Sequence, residues 1–299
     1  MRRFSMLLIV SVSMCLAVSA EVTSNASATA PETFTLWQLP NQTHVQMMSY
    51  VIQTPDGSLL VIDGGNTGDA DYLREFILAR GGKVSTWIIT HVHSDHVNAI
   101  IEILKEPGSI TVDTFYGSIP EREWVAAHGG ESELATWDAL ADAFAQSGHQ
   151  ISELAIEQRL TIDTVNIRVL GIKNPEITAN PINNSSIAFR LWDTTKSVLF
   201  TGDLGVEGGD KLLNSDQARH LPADYVQMAH HGQRGVSEAF YTAVNPSFCL
   251  WPTPKWLWDN DNGGGPDSGP WKTLEVRAWM DKLSIQRHYV MHEGLHEIR

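Results

Sequence analysis

Apolar residues in this chain fall into short continuous runs and longer stretches of helical spacing. Residues 44–53 and 58–63 are two apolar runs joined by Thr-Pro-Asp-Gly at 54–57, a turn-forming tetrapeptide. The pattern predicts a β-hairpin ending at Asp63-Gly64-Gly65. Tyr72, Phe76, Ile77 and Leu78 lie at helical spacing within 69–80. Residues 84–90, Val-Ser-Thr-Trp-Ile-Ile-Thr, read as a buried strand that runs directly into His91. A helix follows from Asp95, with Val97, Ile100, Ile101 and Leu104 on one face.

Farther along, the pattern predicts a strand at 109–118, a helix at 131–147 and strands at 159–170, 185–193 and 197–201. A short helix is expected at 206–213, and a strand at 224–229 leads into His230-His231. A helix (236–243), a strand (246–251), a long loop (252–270), a helix (271–283) and a strand (286–292) complete the order. Strands and helices are mixed, with hairpins early in each half. This order suits an α/β protein built as a four-layer αβ/βα sandwich, two sheets packed together with helices outside. No Pro/Ser-rich linker or break in composition divides the chain after its first residues, so residues 34–299 are expected to form one domain.

With 299 residues, 42% of them hydrophobic, the chain can bury a large core, and its composition excludes disorder. The start differs from the rest. Arg2 and Arg3 precede an apolar run at 6–18 and the small residues Ser19 and Ala20. This is the pattern of a secretory signal peptide over 1–20, cleaved after Ala20. The run is too short for a comfortable membrane span, so no stable span is expected after cleavage. Residues 21–33 read as a flexible lead-in, and the protein as exported, periplasmic or extracellular. Cys15 would leave with the leader. Cys249, alone in Ser-Phe-Cys-Leu-Trp, then has no partner and reads as a buried, inert thiol. The formal charge of −14 disfavours a nucleic-acid partner, and no basic cluster offsets it. A small-molecule or cell-envelope substrate is the expected partner.

The sharpest chemical signal is Thr90-His91-Val92-His93-Ser94-Asp95-His96. In an extended segment residues two apart point the same way, so His91 and His93 can bind one ion together. The chain then turns into a helix, whose first turn projects Asp95 and His96 toward a neighbouring ion. Imidazoles and a carboxylate are suitable zinc ligands. Four such groups clustered behind an apolar strand are costly to keep without a metal.

These residues resemble the signature of the metallo-β-lactamase superfamily. Leu60-Val61-Ile62-Asp63-Gly64-Gly65 resembles the family's first motif, Val198-Leu199-Phe200-Thr201-Gly202-Asp203 the strand that delivers a bridging Asp, and Met228-Ala229-His230-His231-Gly232 the late histidine motif. The resemblance runs in order over 44–299. It implies two zinc ions per chain: the first held by His91 and His93, the second by Asp95 and His96, with Asp203 bridging both. The late histidine completing the second site is expected to be His231, next to Gly232, with His230 the alternative. A strand leading in from Asp224 would place the two on opposite faces. Asp63 is expected to fix an imidazole tautomer. Many family members have a further histidine before the bridging Asp. Here His128 and His149 lie far upstream, and Asn183-Asn184-Ser185-Ser186 stands in that place. That run resembles the subgroup of ComEC-type competence proteins and phosphorylcholine esterases. The first zinc is then left with three protein ligands, Asn184 or water filling the gap, which predicts a weaker first site.

Zinc lowers the pKa of bound water to about 7. The resemblance therefore implies hydroxide attack on an ester-like bond, a phosphoester or phosphodiester ahead of a lactam or lactone, with Asp95 and Asp203 in the catalytic centre. His292, in Met-His-Glu-Gly at the end of the last expected strand, is a candidate proton donor to a leaving group. In the 252–270 loop Trp256, Trp258, Asp259 and Asp261 could receive an apolar or cationic substrate part. The competing readings are a β-lactamase or lactonase, and a non-catalytic extracellular metal-binding protein on the same fold.

Overall fold

In the computed structural model, which describes Met1 and residues 33–299, the apolar runs become two seven-stranded sheets. The expected signal peptide, apart from Met1, and nearly all of the lead-in lie outside the described residues. The first sheet contains β1 (Thr35–Gln38), β2 (Ser49–Gln53), β3 (Leu59–Asp63), β4 (Lys83–Ile88), β5 (Thr111–Gly117) and β6 (Ile151–Glu153). The second contains β7 (Arg159–Ile162), β8 (Val165–Gly171), β9 (Ala188–Trp192), β10 (Ser197–Phe200), β11 (Tyr225–Gln227), β12 (Phe248–Trp251) and β13 (Arg287–Val290). The last strand, β14 (His296–Ile298), returns to the first sheet beside β1. The orders are β14-β1-β2-β3-β4-β5-β6 and β13-β12-β11-β10-β9-β8-β7. From β3 to β6 and from β10 to β13 every neighbouring pair is parallel.

Alternation along each strand builds the layers. Leu60 and Ile62 of β3 join Phe189, Phe200 and Leu250 of the second sheet in the central core. Leu59 and Val61 face the other way, onto α1 (Ala70–Leu78) and α2 (Ser94–Lys105). That outer layer continues past α3 (Arg122–His128) with Leu140 and Phe144 of α4 (Glu131–Ser147). After the one-turn α5 (Pro181–Asn184), the second sheet is covered by α6 (Val206–Leu213), α7 (Glu238–Val244) and α9 (Thr273–Met280), through Leu212, Phe240 and Met280 packed on Leu199, Val226 and Trp251. The architecture is therefore the four-layer αβ/βα sandwich. Strands buried on both faces read as continuous apolar runs, which is why their existence is visible in the sequence.

The differences are local. The expected single strand at 159–170 is a hairpin, because Asp163 takes the left-handed conformation (φ 49°) and reverses the chain between Ile162 and Val165. The loop at 252–270 contains a one-turn helix, α8 (Lys255–Trp258). Strands β1, β6 and β14 and helices α3 and α5 were not expected. The three strands are three or four residues long and exist through distant pairings such as Leu36 with Ile298. Cys249 is buried in β12, and burial pushes its thiol up to about 12. Among the described residues no helix is long and apolar enough to cross a membrane.

Candidate metal centre

The chemistry-bearing residues gather where parallel strands end, the usual ligand position in α/β sheets. Asp63 ends β3, His91 and His93 follow β4, Asp203 follows β10, and His231 follows β11. The loops after β10 and β11 are held in conformations that few residues tolerate. Gly202 has φ 54°, and a Cβ there would lie 3.0 Å from Ser186 and 3.1 Å from Thr90, so the turn that delivers Asp203 needs glycine. His230, His231 and Gly232 all have positive φ (51°, 55° and 76°). Left-handed backbone at two consecutive histidines is costly, and such strain concentrates at functional sites. Helix α2 begins immediately after His93, which puts buried Asp95 in the first turn, where the helix dipole favours a carboxylate.

Two donor groups result. Asp95, His96, Asp203 and His231 offer atoms all within 4.8 Å of one another, and His91, His93 and Asp203 do the same. Asp203 is common to both. His231 Nε2 lies 3.1 Å from Asp95 Oδ2 and 3.2 Å from Asp203 Oδ2, and His96 Nε2 lies 3.3 Å from Asp203 Oδ1. In the other group His91 Nε2 and His93 Nδ1 are 3.1 Å apart, and His91 Nε2 is 3.9 Å from Asp203 Oδ2.

The nitrogens on the far side of the rings fix the tautomers. His96 Nδ1 donates to Asp63 Oδ2 at 2.7 Å, and His231 Nδ1 donates to the Pro252 carbonyl at 2.9 Å. Their Nε2 atoms are thereby turned into the cluster. Histidine ligands are held this way in metal sites. Asp63 itself is completely buried and also accepts from Thr90 N (2.8 Å) and Thr90 Oγ1 (2.6 Å). His93 Nε2 faces Glu133 Oε1 at 3.9 Å.

The electrostatics fit cations. Asp63, Asp95 and Asp203 are buried together, and among the described residues their ion-pair partners are histidines alone, with no Lys or Arg. Burial would raise both Asp95 and Asp203, yet the neighbouring histidines hold both well below the usual carboxylate range. Burial would lower His231, but Asp203 and Asp95 overcome it and raise the imidazole to about 9. His96 is raised well above its ordinary value, because Asp203 and Asp63 outweigh its burial. Burial, with His96 adding to it, pushes His91 well down, and burial also lowers His93, so these two rings offer neutral lone pairs. Buried His96 Nε2, Asp203 Oδ1 and His231 Nε2 have no geometrically satisfied hydrogen bond. Orphaned atoms of this kind, converging with carboxylates, fit divalent metal ions.

Other expected site residues fall elsewhere. His230 turns away from the cluster: its Nδ1 meets the Arg234 carbonyl at 2.9 Å and its Nε2 meets Asn183 Nδ2 at 3.2 Å. The separation of the pair comes from the left-handed turn and not from strand alternation, since β11 ends at Gln227. Asn184, expected to fill the first site's gap, is already occupied. Its Oδ1 accepts from Gly205 N and Gly208 N, and its Nδ2 donates to the Ala179 carbonyl and Glu207, so it braces the loop after Asp203. His292 lies in neither donor group; its ring is 6.0 Å from that of Trp258. The 252–270 segment is largely committed to itself. Trp258 packs edge-on against Trp251 and beneath Arg277, Asp259 pairs with Lys255, and Asp261 accepts from Gly263 N and Gly265 N. Trp256 donates to the His44 carbonyl and, with His292, lines a cavity of about 350 Å³.

Two contributors were not foreseen. Gln46 donates to Asp95 Oδ2 at 2.9 Å and Glu133 faces His93; His128, itself exposed, lines a cavity of about 90 Å³ with His93, Glu133 and Ile182. No local pattern marks them; they reach the centre only through the packing of the segments that carry them.

The family model of the metallo-beta-lactamase superfamily matches residues 43–112. A UPF0173 metal-dependent hydrolase of Thermodesulfovibrio yellowstonii is 36% identical over 98 residues, 29% of this chain and 37% of that protein. ComE operon protein 3 of Bacillus subtilis is 26% identical over 179 residues, 58% of this chain and 21% of that protein. The matches thus span well under half the length of either relative. Among solved structures, the metallo-beta-lactamase fold protein YhfI of Bacillus subtilis superposes with a TM-score of 0.54 at 14% identity, covering 89% of this chain and all of that one. CmlA, a diiron β-hydroxylase of Streptomyces venezuelae, gives 0.51 at 13% identity over 90% of this chain and 55% of its own. At such identities these structures speak for the fold alone.

Proposed function

Since the chain belongs to the metallo-beta-lactamase superfamily, we propose that it is an exported dinuclear zinc hydrolase acting on an ester-like bond, most specifically a phosphoester or phosphodiester. The observation that carries the proposal is the pair of donor groups sharing Asp203. Asp95, His96, Asp203 and His231 would hold one ion, and His91, His93 and Asp203 the other. Metal ions bound there would supply Lewis acidity and activate water for hydrolysis.

The chain's own residues supply the frame. Asp63 and the Pro252 carbonyl orient His96 and His231. Gln46 restrains Asp95 from the side. Of the six donor residues only His93 is appreciably exposed, and the small cavity beside it, closed by Glu133 and Ile182, is the approach a substrate would use. Two adjacent donor groups sharing Asp203 speak for catalysis over a purely structural metal, and the Asn/Ser run at 183–186 supports the phosphoester subgroup over a lactamase. A small-molecule or cell-envelope substrate is in keeping with the leader pattern and the acidic charge.

Metal analysis of purified protein, with assays on phosphodiester, phosphomonoester, lactone and lactam substrates, tests this. Up to two zinc ions per chain and turnover of a phosphoester are expected. Background metal content would overturn the reading, and turnover of lactams alone would overturn the substrate class.

A further inference from the structure

Two buried side-chain atoms without a partner lie outside the donor groups but in the segment running from α5 to β9: Asn183 Oδ1 and Ser185 Oγ. This segment runs beside the first donor group. Ile187 N donates to the Thr90 carbonyl at 2.9 Å, Asp203 N donates to Ser186 Oγ at 3.0 Å, and Pro181 and Ile182 line the cavity that contains His93. The first group has three protein donors, one short of the four that zinc ordinarily takes.

The Asn183 amide cannot choose its orientation freely. His230 Nδ1 faces the Arg234 carbonyl and so carries the ring proton, leaving Nε2 as an acceptor. That acceptor takes one Asn183 Nδ2 proton at 3.2 Å, and Asn180 Oδ1 takes the other at 3.1 Å. Both amide protons are spent, and Oδ1 is left as a fixed acceptor in a side chain that is 3% exposed. Ser185 differs, because its hydroxyl can rotate between donor and acceptor roles. An acceptor locked in place with nothing to accept is a group awaiting a ligand.

We propose that Asn183 supplies the neutral oxygen that completes the first metal site, and that His230 is the positioning residue that locks the amide. The inference rests on the dinuclear reading above and replaces Asn184 with its neighbour. It also gives the second histidine of the late pair a task that needs no contact with the second ion.

The test titrates metal-free protein with Zn(II) against a chromophoric chelator and records the absorption spectrum with Co(II). Asn183→Ala should weaken the first site about 10–100-fold, the range seen when groups supporting a metal site are lost, with the second site unchanged. His230→Ala should shift the same site in the same direction by less. Asn183→Asp, close in shape and anionic, should tighten it, and serves if the alanine variant does not fold. Wild-type affinities and an unchanged Co(II) spectrum in Asn183→Ala, or in Asn183→Asp where it stands in, would overturn the proposal. Absence of metal binding by the wild type would overturn the dinuclear reading, and the proposal with it.

Discussion

Replacing Asp63 by asparagine changes one atom and should disable a metal site through a tautomer. The wild-type carboxylate receives three protons: from Thr90 N on Oδ1, and from Thr90 Oγ1 and His96 Nδ1 on Oδ2. In Asp63→Asn the amide oxygen stays on Thr90 N, and an NH2 group replaces Oδ2. It donates to His96 Nδ1, so the ring proton moves to Nε2, the nitrogen that faces Asp203. A protonated Nε2 has no lone pair for a metal. The opposite amide orientation sets NH2 against the buried Thr90 N–H, at a cost of about 1–3 kcal/mol. Either way second-site affinity should fall about 10–100-fold, or ~1.4–2.7 kcal/mol. Asp63→Ala orphans all three donors and should also destabilise the metal-free protein by several kcal/mol. Chelator competition with Zn(II) measures the affinities, and thermal unfolding of the metal-free protein separates the two variants. An asparagine variant that binds the second ion as the wild type does would refute the tautomer argument.

The late histidines should separate cleanly: His231→Ala loses second-site metal and at least about 10²-fold in turnover, whereas His230→Ala keeps that ion; metal content and rates decide, and the reverse result would exchange their roles. Gly232→Ala places a Cβ 2.3 Å from the Trp251 ring at φ 76° and should cost roughly 1–3 kcal/mol or more; an unchanged denaturation midpoint would contradict it. Finally, His231 in the metal-free protein titrates at about 9, so it is protonated at neutral pH and its proton must leave when metal binds. His96, raised likewise, must give up a proton as well, so second-site affinity should rise at least about tenfold per pH unit from pH 7, and calorimetric titration across that range would disprove this by finding no change. By the same sign, the stability His231 lends the metal-free protein is full below about pH 6.5 and disappears as pH rises through about 9.

The parts of the structure that were legible from sequence are those encoded over short spans. Strand β4 and helix α2 were visible because continuous apolar runs and helical spacing record burial directly. The cluster from His91 to His96 was visible because neighbouring residues supply four of its ligands. Asp203 and His231, more than a hundred residues downstream, became identifiable only through resemblance. What stayed hidden depends on contacts between distant segments. The pairing of β1 with β14 leaves little trace in seven residues. Asn183 and Asn184 are the same residue type, adjacent in sequence, and nothing local separates them. Only the amide protons of Gly205 and Gly208 commit Asn184 elsewhere, and only His230 and Asn180 lock Asn183. The Trp/Asp-rich loop is ambiguous in sequence for the opposite reason: its composition resembles a binding surface, while packing on Trp251 and internal turns use up most of it.

The two donor groups differ in a way that bears on access. Around the second, Asp63, the Pro252 carbonyl and Gln46 constrain His96, His231 and Asp95, and every donor is buried. The first has fewer protein donors, and His93, its most exposed member, is restrained from outside by Glu133 at only 3.9 Å. A rigid, enclosed group suits tight retention of an ion. A group of three such donors completed, on the proposal above, by a neutral amide oxygen, and set beside a cavity, suits exchange of a ligand. The surface controlling that exchange is formed by the junction of α3 and α4, with His128, Gly129, Gly130 and Glu133, together with the start of α5. On the proposed function, substrate discrimination would fall to those two segments, on the side where His93 is open; the tryptophan-rich loop does not line the cavity they enclose.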